Sequence, residues 1–379
     1  MTDKYSFEQQ SAVISALRLP MTILVVCIHF NILLYPLVSK GNVIEYDLTW
    51  VQYPITFFSE VLGRVAVPFF FFISGYLFFL KESAFNKEIY YSKLKSRFKS
   101  LFIPYVAWWI VAGFLTVIMS KLRLTPTLSI QNFLYGIWLT PDSDWYMSSR
   151  INVPLDGPLW FMRDLMVTMI LSPLIYALIK RRKIGLCSLV LLSIIYVVFG
   201  GMCLPEYFIP GLSFPCILFF SIGAYMGLYK INILNCLSPW TRLLVPLSII
   251  LMISDTYLST YVNPLTYSAD LIQNGYIHHM QILCGVPMSI VVGNKMLSKM
   301  KFMMLLSSSS FTVFALHKII IIPLGYVIIY IFHISSFISP VLALTLYLGI
   351  ILLATTIGIM TYQVIAKSEK MKTLFTGGR

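Results

Sequence analysis

The sequence predicts an all-α integral membrane bundle of about ten transmembrane helices, with both termini in the cytoplasm. Three observations carry that expectation. Of 379 residues, 58% are hydrophobic and only 11% are charged, where a soluble domain carries about 25% charged residues. The hydrophobic residues gather into ten runs of about 20, the length needed to cross the hydrocarbon of a bilayer. The Lys and Arg residues fall mainly on alternate connections between those runs. This composition excludes a water-soluble globular enzyme, a disordered chain and a coiled coil. Aromatic residues, 15% of the chain, suit a protein with many rings at the membrane interface.

The runs cover residues 13–38, 53–80, 101–119, 159–179, 184–204, 208–228, 243–261, 277–292, 311–331 and 341–364. The first is too long for a cleavable signal peptide, is interrupted by Arg18 and His29, and lacks a following small-residue cleavage site. The longest connection, 121–158, holds an amphipathic run (Ile130, Phe133, Leu134, Ile137, Trp138) and then a polar turn, Pro141-Asp-Ser-Asp144. It is either an interfacial helix over an acceptor site or a passive loop. With the N-terminus inside, cytoplasmic segments hold 20 of the 28 Lys and Arg residues. Outer segments hold only Lys40, Lys121, Arg123 and Arg150. That asymmetry follows the positive-inside rule and requires an even number of crossings. It also explains the net charge of +13 without nucleic acid. The chain reads as one membrane domain, 1–379, with no internal repeat of the kind that builds inverted-repeat transporters.

Charge inside hydrocarbon is costly, so each ionisable residue within a run is a functional candidate. Arg18 and His29 lie eleven residues apart, which is about 20° past three helical turns and about 16 Å along the axis. They share one side of the first helix. Arg18 either snorkels to the headgroups or binds a ligand; His29, followed by Asn31, is either a packing residue or a deep functional group. The second run carries Glu60 and Arg64, an i, i+4 pair, then Pro68, four phenylalanines, Ile73, Ser74, Gly75 and Tyr76. Ser74-Gly75 permits close helix approach. Lys93, Lys95, Arg97 and Lys99 precede the third run as ordinary inside charge or as a phosphate clamp. The fourth opens Leu159-Trp160-Phe161-Met-Arg163-Asp164. Adjacent residues on a helix diverge by about 100°, so Arg163 and Asp164 are expected to need separate partners. His317 and Lys318 lie in the ninth run, nearer the cytoplasm, and His278 and His279 at the outer edge of the eighth. No Asp, Glu or His set has metal-ligand spacing, and the six scattered cysteines form no C-x-x-C pair.

Arg18-x10-His29, the run Arg64-Val-Ala-Val-Pro68-Phe-Phe-Phe-Phe-Ile-Ser-Gly75-Tyr76, Arg97 ahead of Pro104, Leu159-Trp160-Phe161 and Phe314-Ala-Leu-His317 together resemble the membrane-bound acyltransferase family 3. That family includes O-acetyltransferases of the O-antigen, enterobacterial-common-antigen and nodulation-factor types. The motifs keep the family's order over nearly the whole chain. The resemblance implies a bacterial inner-membrane enzyme of ten helices. It would move an acyl group, usually acetyl, from cytoplasmic acyl-CoA to a hydroxyl of an extracytoplasmic or lipid-linked glycan, as in polysaccharide O-acetylation. Acyl-CoA would be a co-substrate, with no bound cofactor and no metal. Arg18 and His29 would be the catalytic pair, with Arg97, Lys95, Lys99 and His317 on the donor side. Arg64, Glu60, Ser74, Tyr76, Trp160 and Arg163 would support the site or face the acceptor. The family's second cytoplasmic Arg is Ser100 here, and no C-terminal esterase-like domain is expected.

The chemistry agrees with the residue types. Transfer from a thioester to an alcohol needs a base for the hydroxyl proton and a polar group near the carbonyl oxygen. Histidine suits the first role, and arginine suits pyrophosphate or oxyanion contact. Two other classes also place Arg and His in a membrane: a flippase or transporter of a lipid-linked sugar, and a structural protein held by ion pairs. Dependence on acyl-CoA separates the first reading from both.

Overall fold

The computed structural model describes residues 4–29, 49–80, 85–122, 128–139, 154–199, 210–261, 271–331 and 340–378. All regular structure among these residues is helical. In chain order the helices are α1 (Phe7–Ile28), α2 (Trp50–Phe79), α3 (Lys87–Lys121), α4 (Ile130–Tyr135), α5 (Gly157–Ile170), α6 (Ser172–Ile179), α7 (Arg182–Phe199), α8 (Phe214–Leu228), α9 (Ile233–Thr260), α10 (Gly275–Lys299), α11 (Ser310–Ile331), α12 (Pro340–Ile365) and α13 (Glu369–Thr376). Eight of them are long and apolar enough to cross a membrane: α1, α2, α3, α7, α9, α10, α11 and α12. Helices α5 and α6 together cover the fourth predicted run and are bent by 61° at the break between them. Pro173, at the start of α6, has no amide hydrogen to continue the ladder, which accounts for the bend. The sixth run appears as α8, with only 15 residues. The end of the first run, Asn31 and the turn at 141–144 lie outside the described residues.

The chain packs into two compact units. One comprises residues 1–24, 56–95 and 167–307; the other comprises 25–55, 96–166 and 308–379. In the first unit, α2 and α8 meet backbone to backbone. A Cβ on Gly75 would strike the carbonyl of Phe220, and one on Gly223 or Gly227 would strike the carbonyl of Phe72 or Tyr76. Small residues spaced four apart allow this approach, which gains van der Waals contact where hydrocarbon offers no hydrophobic drive. The same unit buries a closed polar network. Gln10 Nε2 donates to the Tyr76 hydroxyl at 2.8 Å, and that hydroxyl donates to the Ile231 carbonyl at 3.1 Å. The Ile233 amide donates to Gln10 Oε1 at 2.5 Å.

In the second unit, α4 lies on α3. Phe133 stacks on Trp109 with ring centroids 4.2 Å apart, in space left by Gly113. At the C-terminus, the Trp108 indole donates to the Phe375 carbonyl at 2.9 Å, docking α13 on α3. That helix ends at Gly377, whose φ of 68° is left-handed; the residue packs on the Ser100 backbone, where a side chain would collide.

Candidate active site in the second unit

His29 sits in the turn that closes α1, and His317 lies on α11 one turn after Phe314. The sequence sets them at different depths; the structure brings the rings together, with centroids 4.8 Å apart in an edge-on arrangement. His317 is fully buried. Its Nδ1 is 2.6 Å from the Phe314 carbonyl, which can only accept, so Nδ1 carries the proton. In the neutral ring, Nε2 then holds the lone pair, and it faces His29 Nδ1 at 3.1 Å. His29 Nδ1 also lies 3.0 Å from the Val25 carbonyl. Both neighbours accept, so His29 Nδ1 is the donor. The chain of partners therefore assigns both tautomers, and it leaves the basic lone pair of His29 on Nε2. A proton taken at Nε2 makes an imidazolium whose Nδ1–H is held by a neutral histidine and a carbonyl. The group that holds the Nδ1–H of His29 across the two helices is thus an imidazole and not a carboxylate.

Helix α5 frames this pair. Phe161 packs edge-on against Phe314 at 5.5 Å. One turn earlier, Gly157 lies under the Lys318 ammonium, in the space a Cβ would occupy. Residues 157 and 161 of α5 thus face 318 and 314 of α11, and the two helices run antiparallel along this seam. Asp156 precedes Gly157 and is 3% exposed; Lys318 is 5% exposed. Both Asp156 oxygens lack a hydrogen-bond partner among the described residues. Burial raises the Asp156 carboxyl to a pKa of about 8, and the nearby Lys318 charge pulls it back only in part. A cavity of about 20 Å³ adjoins the two, walled by Thr116, Leu155, Ile319 and Ile322 among others. Sequence reading singled out Lys318 only as a charge within a run, and Asp156 not at all. Its one visible signal was a carboxylate immediately ahead of Gly-Pro-Leu-Trp-Phe.

Arg163 is 4% exposed and Asp164 1%. Contrary to the expectation from the helical wheel, they pair with each other, Nε to Oδ1 at 3.0 Å. The wheel follows Cβ directions, but the long Arg side chain curls back. Its Nη1 donates to the Trp138 carbonyl at 2.8 Å, and its guanidinium lies 5.6 Å from the Trp138 ring centre. Trp160 is half-buried at the start of α5.

The remaining candidates divide between the units. Glu60 and Arg64 are joined at 2.5 Å in the first unit, across a π-helical stretch, Phe57–Leu62. Ser74 is half-buried beside the α2–α8 seam, and Tyr76 belongs to the Gln10 network. Arg18 is half-buried in the first unit, where its carbonyl accepts from the Thr22 hydroxyl. Lys95 closes a first-unit segment and is exposed, as is Lys99 in the second unit, while Arg97 is half-buried. Lys93 is half-buried and donates to the Phe78 carbonyl at 2.5 Å. His278, also in the first unit, meets Asp255 at 2.9 Å. No group of three potential metal ligands occurs among the described residues.

A family model described as an acyltransferase domain matches residues 12–362. The chain is similar to the succinoglycan biosynthesis protein ExoH of Rhizobium meliloti (strain 1021), with 29% identity over 195 residues. The match covers 49% of this chain and 46% of that protein, so the chain aligns with about half the length of its relative. No solved structure matches.

Proposed function

This chain belongs to the membrane-bound acyltransferase family 3, and from that premise we propose that it is an O-acyltransferase of the bacterial inner membrane, using acyl-CoA to acylate a hydroxyl of an extracytoplasmic or lipid-linked glycan. The observation that carries the assignment is the His29–His317 pair, in which the partners of both rings place the basic lone pair on His29 Nε2. The polysaccharide context of ExoH supports a glycan acceptor. Acetyl is the acyl group that the sequence resemblance favours.

In this mechanism His29 Nε2 takes the proton of the acceptor hydroxyl as the oxygen attacks the thioester carbonyl. The tetrahedral intermediate collapses with cleavage of the C–S bond, and the imidazolium returns its proton to the departing CoA thiolate. His317 is a positioning residue: it holds the Nδ1–H of His29 and so fixes the tautomer whose lone pair is on Nε2. Arg18 is assigned to the donor pyrophosphate. Arg97, Lys95 and Lys99 are assigned to the donor phosphates from the cytoplasmic side.

The test uses membrane vesicles carrying the full chain and an acceptor glycan, supplied with radiolabelled acetyl-CoA. His29→Ala is expected to lower transfer about 10²–10⁴-fold, the usual worth of a general base, with normal protein level and insertion. Retention of most activity would overturn the assignment of the base. Absence of any CoA-dependent transfer by the parent protein would overturn the acyltransferase mechanism and favour sugar transport.

A further inference from the structure

The turn between α6 and α7, in the first unit, carries four consecutive cations, Lys180, Arg181, Arg182 and Lys183, and the proposed mechanism uses none of them. All four are exposed, and no carboxylate among the described residues pairs with any of them. A basic turn beside an apolar helix is ordinary in a membrane protein, but this one has features that a count of charge does not explain. Its backbone is gripped by the end of α8. The Tyr229 hydroxyl donates to the Ile179 carbonyl and the Tyr225 hydroxyl to the Arg182 carbonyl, each at 3.1 Å. The two phenol rings lie 4.8 Å apart, and the Arg182 guanidinium sits 5.5 Å from the centre of the Tyr229 ring. The cations therefore project from a fixed frame.

Their placement is unfavourable without an external anion. Arg182 and Lys183 occupy the first turn of α7, which holds no acidic residue. The positive end of a helix dipole repels cations there. Lys230, directly after Tyr229, adds a fifth exposed cation at the same end of the unit. Its φ of 51° is left-handed, and it is the one non-glycine residue so held among the described residues. Glycine takes that conformation without steric cost, so a lysine here gives up backbone comfort for a charge.

The neighbouring surface indicates which kind of anion fits. Of α7, only Gly185, Leu189 and Tyr196 are buried. Ile184, Leu186, Val190, Leu191 and Ile194, beginning directly beyond the turn, are each more than half exposed. They belong to a helix long and apolar enough to cross a membrane, so they face acyl chains. A soluble phosphate would use the cations and leave this apolar face idle. An amphiphile with a phosphate headgroup uses both.

We propose that the α6–α7 turn, together with Lys230, binds the phosphate headgroup of an anionic phospholipid whose chains lie along α7. The site is independent of the acyltransferase reading, because none of its residues belongs to the proposed mechanism.

The experiment uses the full chain, purified in neutral detergent and titrated with cardiolipin, phosphatidylglycerol, phosphatidylcholine or inorganic pyrophosphate. Bound lipid is counted by native mass spectrometry, and the thermal unfolding midpoint is followed at low and high salt. Cardiolipin and phosphatidylglycerol should be retained by the parent and raise its midpoint, and salt should weaken the effect. Phosphatidylcholine and pyrophosphate should do neither. Each Lys or Arg near a membrane surface strengthens such binding about fivefold. The combined variant Lys180→Gln, Arg181→Gln, Lys183→Gln should therefore weaken the apparent affinity about 100-fold. Lys230→Gly should weaken it about fivefold, with a lipid-free midpoint no lower than that of the parent, because glycine relieves the left-handed residue. A charge-matched control, Lys295→Gln, Lys299→Gln, Lys301→Gln, alters three exposed lysines on another connection and should retain lipid as the parent does. Equal losses in the two triple variants would reduce the turn to general surface charge and overturn the site. Unchanged lipid retention in the turn variant and in Lys230→Gly would overturn it as well. Stabilisation by pyrophosphate equal to that by lipid would assign the turn to soluble phosphate instead. If the turn variant fails to fold, Lys230→Gly set against the control makes the same decision.

Discussion

Two buried charge pairs, Arg163 with Asp164 and Asp156 with Lys318 of α11, draw on residues near the start of α5, and they are built in opposite ways. Arg163 and Asp164 are in contact, and the guanidinium is further held by the carbonyl and ring of Trp138. Asp156 and Lys318 are equally buried but do not touch, and the Asp156 oxygens have no protein donor. The first pair clasps the segment after α4 to α5. Tyr105 reinforces that clasp from α3 by donating to the carbonyl of Ile137. The second borders a space of about the size of a water molecule. The difference teaches that burial of charge alone does not distinguish architecture from function. Completeness of hydrogen bonding does, because a satisfied group has nothing left to offer a ligand.

The sharpest way to break the comparison is Arg163→Met. Removing the guanidinium takes the counter-charge from a buried carboxylate, so a loss of about 3–5 kcal/mol is expected, read as denaturation of the purified protein in detergent, with acceptor and donor KM unchanged in the folded fraction. A selective rise in acceptor KM would move Arg163 to the ligand side of the contrast.

Asp156→Asn should behave differently, and pH makes the difference visible. The Asp156 carboxyl is raised to about 8 from 3.8, so the folded state binds more protons than the unfolded state between those values. Its contribution to stability therefore falls as pH rises from about 4 to about 8 and levels off above. The Asn variant should lack that slope in unfolding measured across the window. The ionisable group acting on Asp156 is Lys318 on α11, and Tyr105 on α3 in turn feels the Asp156 charge. Persistence of the slope in the variant would show that another group titrates.

The smallest effect is expected from Tyr105→Phe, which deletes only the bond to Ile137. A loss of about 1 kcal/mol in detergent unfolding, with transfer kinetics unaltered, would confirm that the clasp is mechanical. A change in acceptor KM would show that the clasp and the cavity are coupled.

Much of the architecture was legible from local pattern. Each of the ten apolar runs falls on a helix among the described residues, because a bilayer demands about 20 apolar residues and complete internal hydrogen bonding in every crossing. Gly75 was read as a point of close approach, and it is where α2 and α8 touch. Glu60 and Arg64 pair as their i, i+4 spacing suggests. The site was legible only in part. His29 stood out as a polar residue at depth, but its partner lies 288 positions away, and nothing in either local pattern joins them. Arg163 and Asp164 were misjudged because the helical wheel records where Cβ points and not how far a guanidinium reaches. Asp156 drew no notice because an isolated acidic residue in an outer connection ordinarily faces water.

The positions of the apolar helices and the alternation of basic connections follow from sums over neighbouring residues: transfer free energy over a run, and charge over a loop. Those sums are properties of composition and order, so they can be read without coordinates. The tautomer of His29, the pairing of Arg163 with Asp164 and the incomplete pairing of Asp156 depend on which distant side chains lie within about 3 Å of one another. A hydrogen bond fades over a few tenths of an ångström and through modest changes of angle, and only the packing of α3, α5 and α11 sets distances that finely.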